Sequence, residues 1–416
     1  MDFFHCLSLH EAQTLIANTL GSAISVQESE AVPLEQALGR IAAADVKSEE
    51  DIPAFARSTV DGYAVNSADT FGAGEGIPAT LEIAGEVLMG SKADCALGYG
   101  QAVAIPTGGM LPPGADAVVM LEHTEKADQE MLLVLKAVAP NDNVIAQGED
   151  IRTGQVIISK GRRLGTADIG ALAACGHSMV RVFRPLTVGI ISTGDEIVDV
   201  TARPAAGQVR DVNSYALAAA VQEQGHIAKR YGIIPDQYEE LYNCLNKAAH
   251  ECQLVLISGG SSVGARDYTV RAIESLAGRK VLLHGIAVKP GKPTIFGMIG
   301  STPVFGLPGH PVSALTIFDQ IVKPSVAQVA GLITTGREFT VPASIIRNVP
   351  SAPGRDDIIR VRLVRKDSGY MAEPIFGKSG LISTLVQADG VVRIRAEAGG
   401  LYAGDTVDVQ LLRPQQ

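Results

Sequence analysis

The sequence predicts a multidomain α/β plus β protein, with a central, mostly parallel α/β domain set among helical and β-rich parts. Three observations carry that prediction. Between Pro185 and Gly331, apolar runs alternate with helical stretches at the spacing of βαβ units. Residues 46–146 are frequent in Gly and Pro and hold only short alternating runs, which suggests a β-rich inserted domain. Beyond Gly336 the pattern is strands alone, as in a small C-terminal β-barrel or sandwich.

In chain order, Ser8-Leu9-His10-Glu11 has the form of a capping box, and an apolar-periodic run follows it to Leu20, so an opening helix closed by Gly21 is expected. In the insertion, TLEIAGEVL and MLLVLKAV have strand character. Helix signals return between Gly148 and Gly176, with Thr166 as N-cap and Gly176 just past the end. LTVGIIS is an apolar run suited to a buried parallel strand. A helix from Asn213, as cap, to Gln224 follows, ended by Gly225. Then come a strand at 227–234, a helix at 238–250, the buried strand QLVLISGG and a helix from about Asp267 to Leu276. PVFGLPG ends a third strand, and a helix is expected from Pro311 to Gly331. FTVPASII, DIIRVRLV, VVRIRA and DTVDVQLL are the terminal strands.

The 416 residues leave room for roughly three domains on a prior of about 150 residues each. With 35 Lys+Arg against 45 Asp+Glu, the net charge of −10 argues against nucleic acid as a partner, though a local basic pocket could still take an anion. The five cysteines (Cys6, Cys95, Cys175, Cys244, Cys252) form no C-x-x-C pair, so a reducing, cytoplasmic setting is expected. MDFFHCLSLHEA lacks the form of a signal peptide, and no stretch of about 18 apolar residues suggests a membrane span.

Four motifs gather in the α/β region. Ser192-Thr193-Gly194-Asp195-Glu196 follows a strand, where ligands of open α/β sheets bind; its adjacent acids could hold a metal or a ligand hydroxyl. Ser258-Gly259-Gly260-Ser261-Ser262-Val263-Gly264, with Asp267 behind it, lies between a strand and a helix and makes a nest of N–H donors for an anion. It is neither a Walker loop nor a dinucleotide fingerprint. Lys289-Pro290-Gly291-Lys292-Pro293 holds two ammonium groups on a stiff turn suited to phosphate or another oxyanion. Gly306-Leu307-Pro308-Gly309-His310-Pro311 opens a helix whose start would face an anion. Each has a bland alternative, from solvated acids to a generic glycine-rich turn, an exposed basic turn or a bystander histidine. Outside the domain, RSTVDGY around Asp61 and PTGG around Thr107 read from physics alone as structural loops.

In this order, together with GED at Gly148 to Asp150 and IIPD at Ile233 to Asp236, the motifs resemble the molybdopterin molybdotransferase family (MoeA and the gephyrin E domain) over nearly the whole chain. The resemblance implies an elongated helical segment from residues 1–45 and 147–184, a β-rich domain at 46–146, a molybdopterin-binding α/β domain at 185–333 and a C-terminal β-barrel at 334–416. It implies a homodimer with the active site at the subunit interface. The implied reaction inserts molybdate into adenylylated molybdopterin with Mg²⁺, releasing AMP. Motif by motif, it implies Asp61, Thr107, Asp150, Glu196, Asp236 and Asp267 as catalytic residues, with Glu196 and Asp267 on the metal. Thr193, Gly194, Asp195, Ser258, Gly259, Gly260, Ser262, Gly264, Lys289, Lys292, Pro308 and Pro311 would hold the pterin substrate, and Arg360 and Ser379 the molybdate. Molybdopterin adenylyltransferase and downstream molybdoenzymes or their chaperones are the implied partners. Two positions depart from the pattern: Ala56 replaces a polar or acidic residue, and His310 replaces asparagine. The competing functions are a pterin adenylyltransferase, which lacks the insertion and the terminal β domain, and a non-catalytic scaffold of the same fold.

Overall fold

The protein is described here by a computed structural model, which covers residues 6–23, 27–259, 263–278, 280–333, 339–367 and 369–412, without the side chains of 23 and 263–267. Helix α1 (Leu9–Ala23) starts on the expected capping box: the Ser8 N–H donates to Glu11 Oε2 at 2.8 Å and the Glu11 N–H to Ser8 Oγ at 3.2 Å. Gly21 does not end it. The helix runs on two residues, and Gly21 instead lies beside Gln328, whose amide donates to the Ala17 carbonyl. Leu9, Ile16 and Leu20 share one buried cluster with Val188, Phe318 and Val326, so α1 packs onto the α/β layer.

Strand Ser29–Pro33 pairs antiparallel with Met179–Phe183, and Val46–Lys47 with Val156–Ile158. The first pairing joins residues before and after the insertion, the second ties the insertion's first residues to the segment after it, and both surround Val32, Leu164, Leu172 and Val182. Helix α2 (Thr166–Ala174) corrects one expectation. Thr166 is its first residue and Gly165 its cap, with Asp168 reaching back to accept the Gly165 N–H at 2.8 Å. Gly176 has the expected left-handed conformation after the last turn. Within the insertion, six strands form one sheet, among them Gly62–Val65, Ala79–Glu86, Gln101–Ile105 and Met131–Val134.

The central sheet is built from β1 (Thr187–Thr193), β2 (Ile227–Ile234), β3 (Leu254–Gly259), β4 (Ile295–Ile299) and β5 (Thr302–Leu307), with Leu283–His284 at its edge. The order is β2-β1-β3-β5-β4-edge; the first four are mutually parallel, β4 runs antiparallel to β5, and the edge strand runs antiparallel to β4. The buried character of VGIIST and LVLIS matches a sheet covered on both faces. The covering helices are α3 (Asn213–Glu223), α4 (Tyr238–Glu251), α5 (Val263–Ala277), α6 (Pro311–Ile317) and α7 (Lys323–Val329). α5 begins before the expected Asp267. The single helix expected from Pro311 to Gly331 is interrupted by a π-helical turn at Phe318–Val322, just ahead of Pro324, which has no N–H to continue the ladder.

The C-terminal strands β6 (Thr340–Ile345), β7 (Asp356–Lys366), β8 (Gly369–Pro374), β9 (Gly390–Ile394) and β10 (Thr406–Leu411) pair β7-β8-β6-β10-β9, and β9 pairs back to β7. That closure makes a five-stranded barrel and excludes the sandwich. A short helix at Ser383–Val386 corrects the strands-only reading. The barrel is stitched to the α/β domain where Val288–Lys289 pairs parallel with Asp356 and Asp357.

Candidate functional site

Parallel strands end at one edge, and registry puts the motifs there together. Thr193 is opposite Gly259 on one side and Ile234 on the other, and Ser258 is opposite Leu307. Gly259 has φ +139°, and a Cβ there would stand 1.8 Å from the Thr193 carbonyl oxygen, so no other residue fits this crossing of strand ends. Two buried side chains knit the edge. Asp211, 5 % exposed, accepts from the Ser192 hydroxyl at 3.1 Å and from the Ser214 N–H and hydroxyl at 3.0 and 2.6 Å. Asp211 therefore does the capping work expected of Asn213. The Asn213 amide instead donates to Ser258 Oγ and to the Gly309 carbonyl, both at 2.8 Å, joining two motifs.

Between this edge and the barrel opens a cleft of about 920 Å³. Of the expected site residues, Gly259, Lys289, Lys292, Pro308, Arg360 and Ser379 line it. Sequence reasoning missed Ser313, Arg355 and Lys378, which line it too; the basic residues among them had only their charge as a signal. The turn carrying the two lysines is pressed against α6, since a Cβ on Gly291, at φ +127°, would meet Ile317 at 2.5 Å. Asp357 is the one acid on the described lining, and Arg355 neutralises it at 3.0 Å. Among the described side chains, Lys289, Lys292, Arg360 and Lys378 have no carboxylate ion-pair partner. Arg360 is buried: one terminal nitrogen donates to the Gly377 carbonyl at 3.3 Å, and Nε has no hydrogen-bond partner. Burial pulls its pKa below the ordinary value. A buried guanidinium with an orphaned donor, beside three further cations, has donors and charge of the kind an oxyanion would satisfy.

The described acids of the motifs lie off this cleft. The Asp236 N–H donates to Asp195 Oδ1 at 3.1 Å. Burial raises the Asp236 pKa first, and Asp195 and Glu196 add like charge, opposed by a hydrogen bond from Thr193. Thr193, Gly194, Asp195, Glu196, Ser258 and Asp236 belong to the same sheet edge without lining the cleft, and Pro311 stands behind it at the start of α6. Among the described residues no three carboxylate, His or Cys groups converge as a ready metal cage. Gly260 and Ser262 lie outside the described residues; Gly264 and Asp267 fall in α5, and the Asp267 side chain is not among those described.

Asp61 and Thr107 meet in the insertion. The Thr107 N–H donates to Asp61 Oδ1 at 2.7 Å and its hydroxyl at 3.0 Å, bonds that hold the Asp61 carboxyl below the usual range. Asp150 is exposed on the loop returning from the insertion, where its N–H donates to the Ile52 carbonyl at 3.1 Å. None of the three lines this chain's cleft.

A doubly wound domain whose motif-bearing edge faces a cationic cleft and a closed barrel is shared with proteins of molybdenum cofactor biosynthesis, as comparison with known proteins shows. Residues 7–176 match the MoeA N-terminal region (domains I and II), 189–328 a "probable molybdopterin binding domain" and 343–412 the MoeA C-terminal region (domain IV). A molybdopterin molybdenumtransferase of Haemophilus influenzae is 32% identical over 92% of this chain and 94% of its own. Two solved MoeA proteins of Pyrococcus horikoshii superpose with TM-scores of 0.81 and 0.85, at 38% and 32% identity, covering 99% and 98% of this chain and 100% of each of theirs. The chain belongs to the MoeA family of molybdopterin molybdenumtransferases. No described helix is long and apolar enough to cross a membrane.

Proposed function

We propose that this chain transfers molybdate into adenylylated molybdopterin, releasing AMP, and that the cationic cleft receives the oxyanion. The observation that carries the reading is Arg360, buried with an unpaired Nε, on a lining that also presents Lys289, Lys292 and Ser379. In this account Arg360 and Ser379 orient molybdate by directed donors, and the two lysines neutralise the bound anions. The backbone around Ser258 and Gly259, with the nest that continues through Gly260, Ser262 and Gly264, takes the pterin phosphate. Pro308 and Pro311 shape the opposite turn.

The acids Asp195, Glu196, Asp236 and Asp267 hold the charged end where AMP departs. The crowding of Asp195 and Glu196 on Asp236 fits a divalent cation, which that like charge would attract. Mg²⁺ keeps waters and leans on substrate phosphates, so two carboxylates are enough to hold it. Glu196 and Asp267 would hold it; it would neutralise charge on the phosphoanhydride oxygens.

We place Asp61, Thr107 and Asp150 in the site of a second copy within a homodimer. Their position off this chain's own cleft supports that placement, as do exposed apolar side chains on the insertion, with Ile77 78 % and Tyr99 95 % exposed. A cytoplasmic enzyme receiving its substrate from a pterin adenylyltransferase and passing the cofactor to molybdoenzymes or their chaperones follows. The insertion and the barrel favour this over the adenylyltransferase reading, and the set of unpaired cations favours it over a scaffold.

The test is AMP release from adenylylated molybdopterin by the purified chain. Release that requires molybdate supports the proposal. Pyrophosphate release from ATP, or no turnover in either assay, contradicts it.

A further inference from the structure

His310 and Ser379 face each other across the mouth of the cleft, one on the loop before α6 and the other on the loop that follows β8 of the barrel. His310 Nδ1 lies 2.8 Å from Ser379 Oγ. A second bond ties the first turn of α6 to the same barrel loop, since the Val312 N–H donates to the Ser379 carbonyl at 3.1 Å. The side-chain bond can run in two directions. If the ring nitrogen accepts, the serine proton points at the imidazole and the hydroxyl offers a bound anion only lone pairs. If the ring nitrogen donates, the serine proton is free to point into the cleft.

We propose that His310 is a positioning residue that sets the direction of the Ser379 hydroxyl and so tunes the cleft's affinity for an oxyanion. The inference rests on the oxyanion reading above. The charged groups that share the lining with His310 are Lys378, Arg360, Arg355 and Asp357 from the barrel side and Lys289 and Lys292 from the turn opposite. Of the side chains on this lining, the imidazole is the one with a ring nitrogen that can either accept or donate, and protonation removes that choice. His310 is the one histidine among the described lining residues. Protonating it forces the donating arrangement, because both ring nitrogens then carry hydrogen. Anion affinity therefore rises as pH falls, through the serine as well as through the added charge.

The experiment is calorimetric binding of molybdate, which stays a dianion over this range, to the full chain at pH 6 and pH 8. The chains compared are wild type, His310→Asn, His310→Gln and Ser379→Ala. His310 is exposed, so its replacement leaves the core intact. The wild type is expected to bind about threefold to tenfold tighter at the lower pH, the worth of one redirected hydrogen bond. Both His310 variants are expected to lose that dependence, and Ser379→Ala to lose most of it. Equal pH dependence in wild type and His310→Asn overturns this proposal alone. Full dependence retained in Ser379→Ala overturns the serine's part. No molybdate binding by wild type at either pH overturns the oxyanion reading, and this proposal with it.

Discussion

Arg360 is where the chemistry of the cleft is most concentrated. Its orphaned Nε is costly in a resting site and useful only when an acceptor arrives. Arg360→Ala should raise the molybdate KM about 10- to 100-fold, the worth of a charge-assisted bond, with a smaller change in kcat. Arg360→Lys should recover only part of this, because an ammonium cannot reproduce the guanidinium fork. Steady-state kinetics varying molybdate at fixed pterin substrate would read both, and an unchanged KM in Arg360→Ala would remove the residue from the site.

A second residue matters for pH rather than turnover. His226 is 8 % exposed; its Nδ1 accepts the Leu186 N–H at 3.3 Å while Nε2 has no partner. Burial, and then the neighbouring Arg163 charge, bring its pKa down from 6.5 to about 4. The unfolded chain takes up this proton first. The stability tied to neutral His226 is thus present above pH 6.5 and drains away as pH falls towards 4, by on the order of 3 kcal/mol. His226→Gln should flatten the loss of Tm between pH 7 and pH 4.5 relative to wild type. An identical loss in both chains would contradict the assignment.

At the scale of elements, the account turns on how turns and strand ends are held. Gly291→Ala puts a methyl 2.5 Å from Ile317 at φ +127°, so about 1–3 kcal/mol of stability should go. Gly300→Ala, also at positive φ but with nothing within 4 Å, should cost less, and thermal melts compare the two. Asp211→Ala removes an acceptor that serves both Ser192 and Ser214, and about 2–4 kcal/mol should follow. These same elements mark what the sequence made legible. Strand Ile227–Ile234 and helix Tyr238–Glu251 could be read directly, the helix because Leu241, Leu245 and Ala248 recur at helical spacing on its buried face. Asn213 was read as a cap because asparagine usually serves as one; only tertiary contact gives its amide to Ser258 and Gly309. The π-turn at 318–322 and the continuation of α1 past Gly21 depend on packing that no local pattern records. Lys378 and Arg355 could not be told from surface charges until the barrel was set against the sheet edge.

For the whole molecule, the separation of Asp61 and Thr107 from the cleft calls for a shared site. Asp61→Asn and Glu196→Gln are each expected to be inactive alone. Mixed after joint refolding, they should regain about a quarter of wild-type activity, since half the dimers are then mixed and each holds one intact site. No recovery would place all the residues within one chain. The central claim is that molybdate binds where sheet edge and barrel meet. Anomalous scattering at the molybdenum edge, from crystals of the wild-type protein soaked in molybdate, tests it most directly. The account predicts a peak bounded by Lys289, Lys292, Arg360 and Ser379; a peak elsewhere, with this cleft empty, would contradict it.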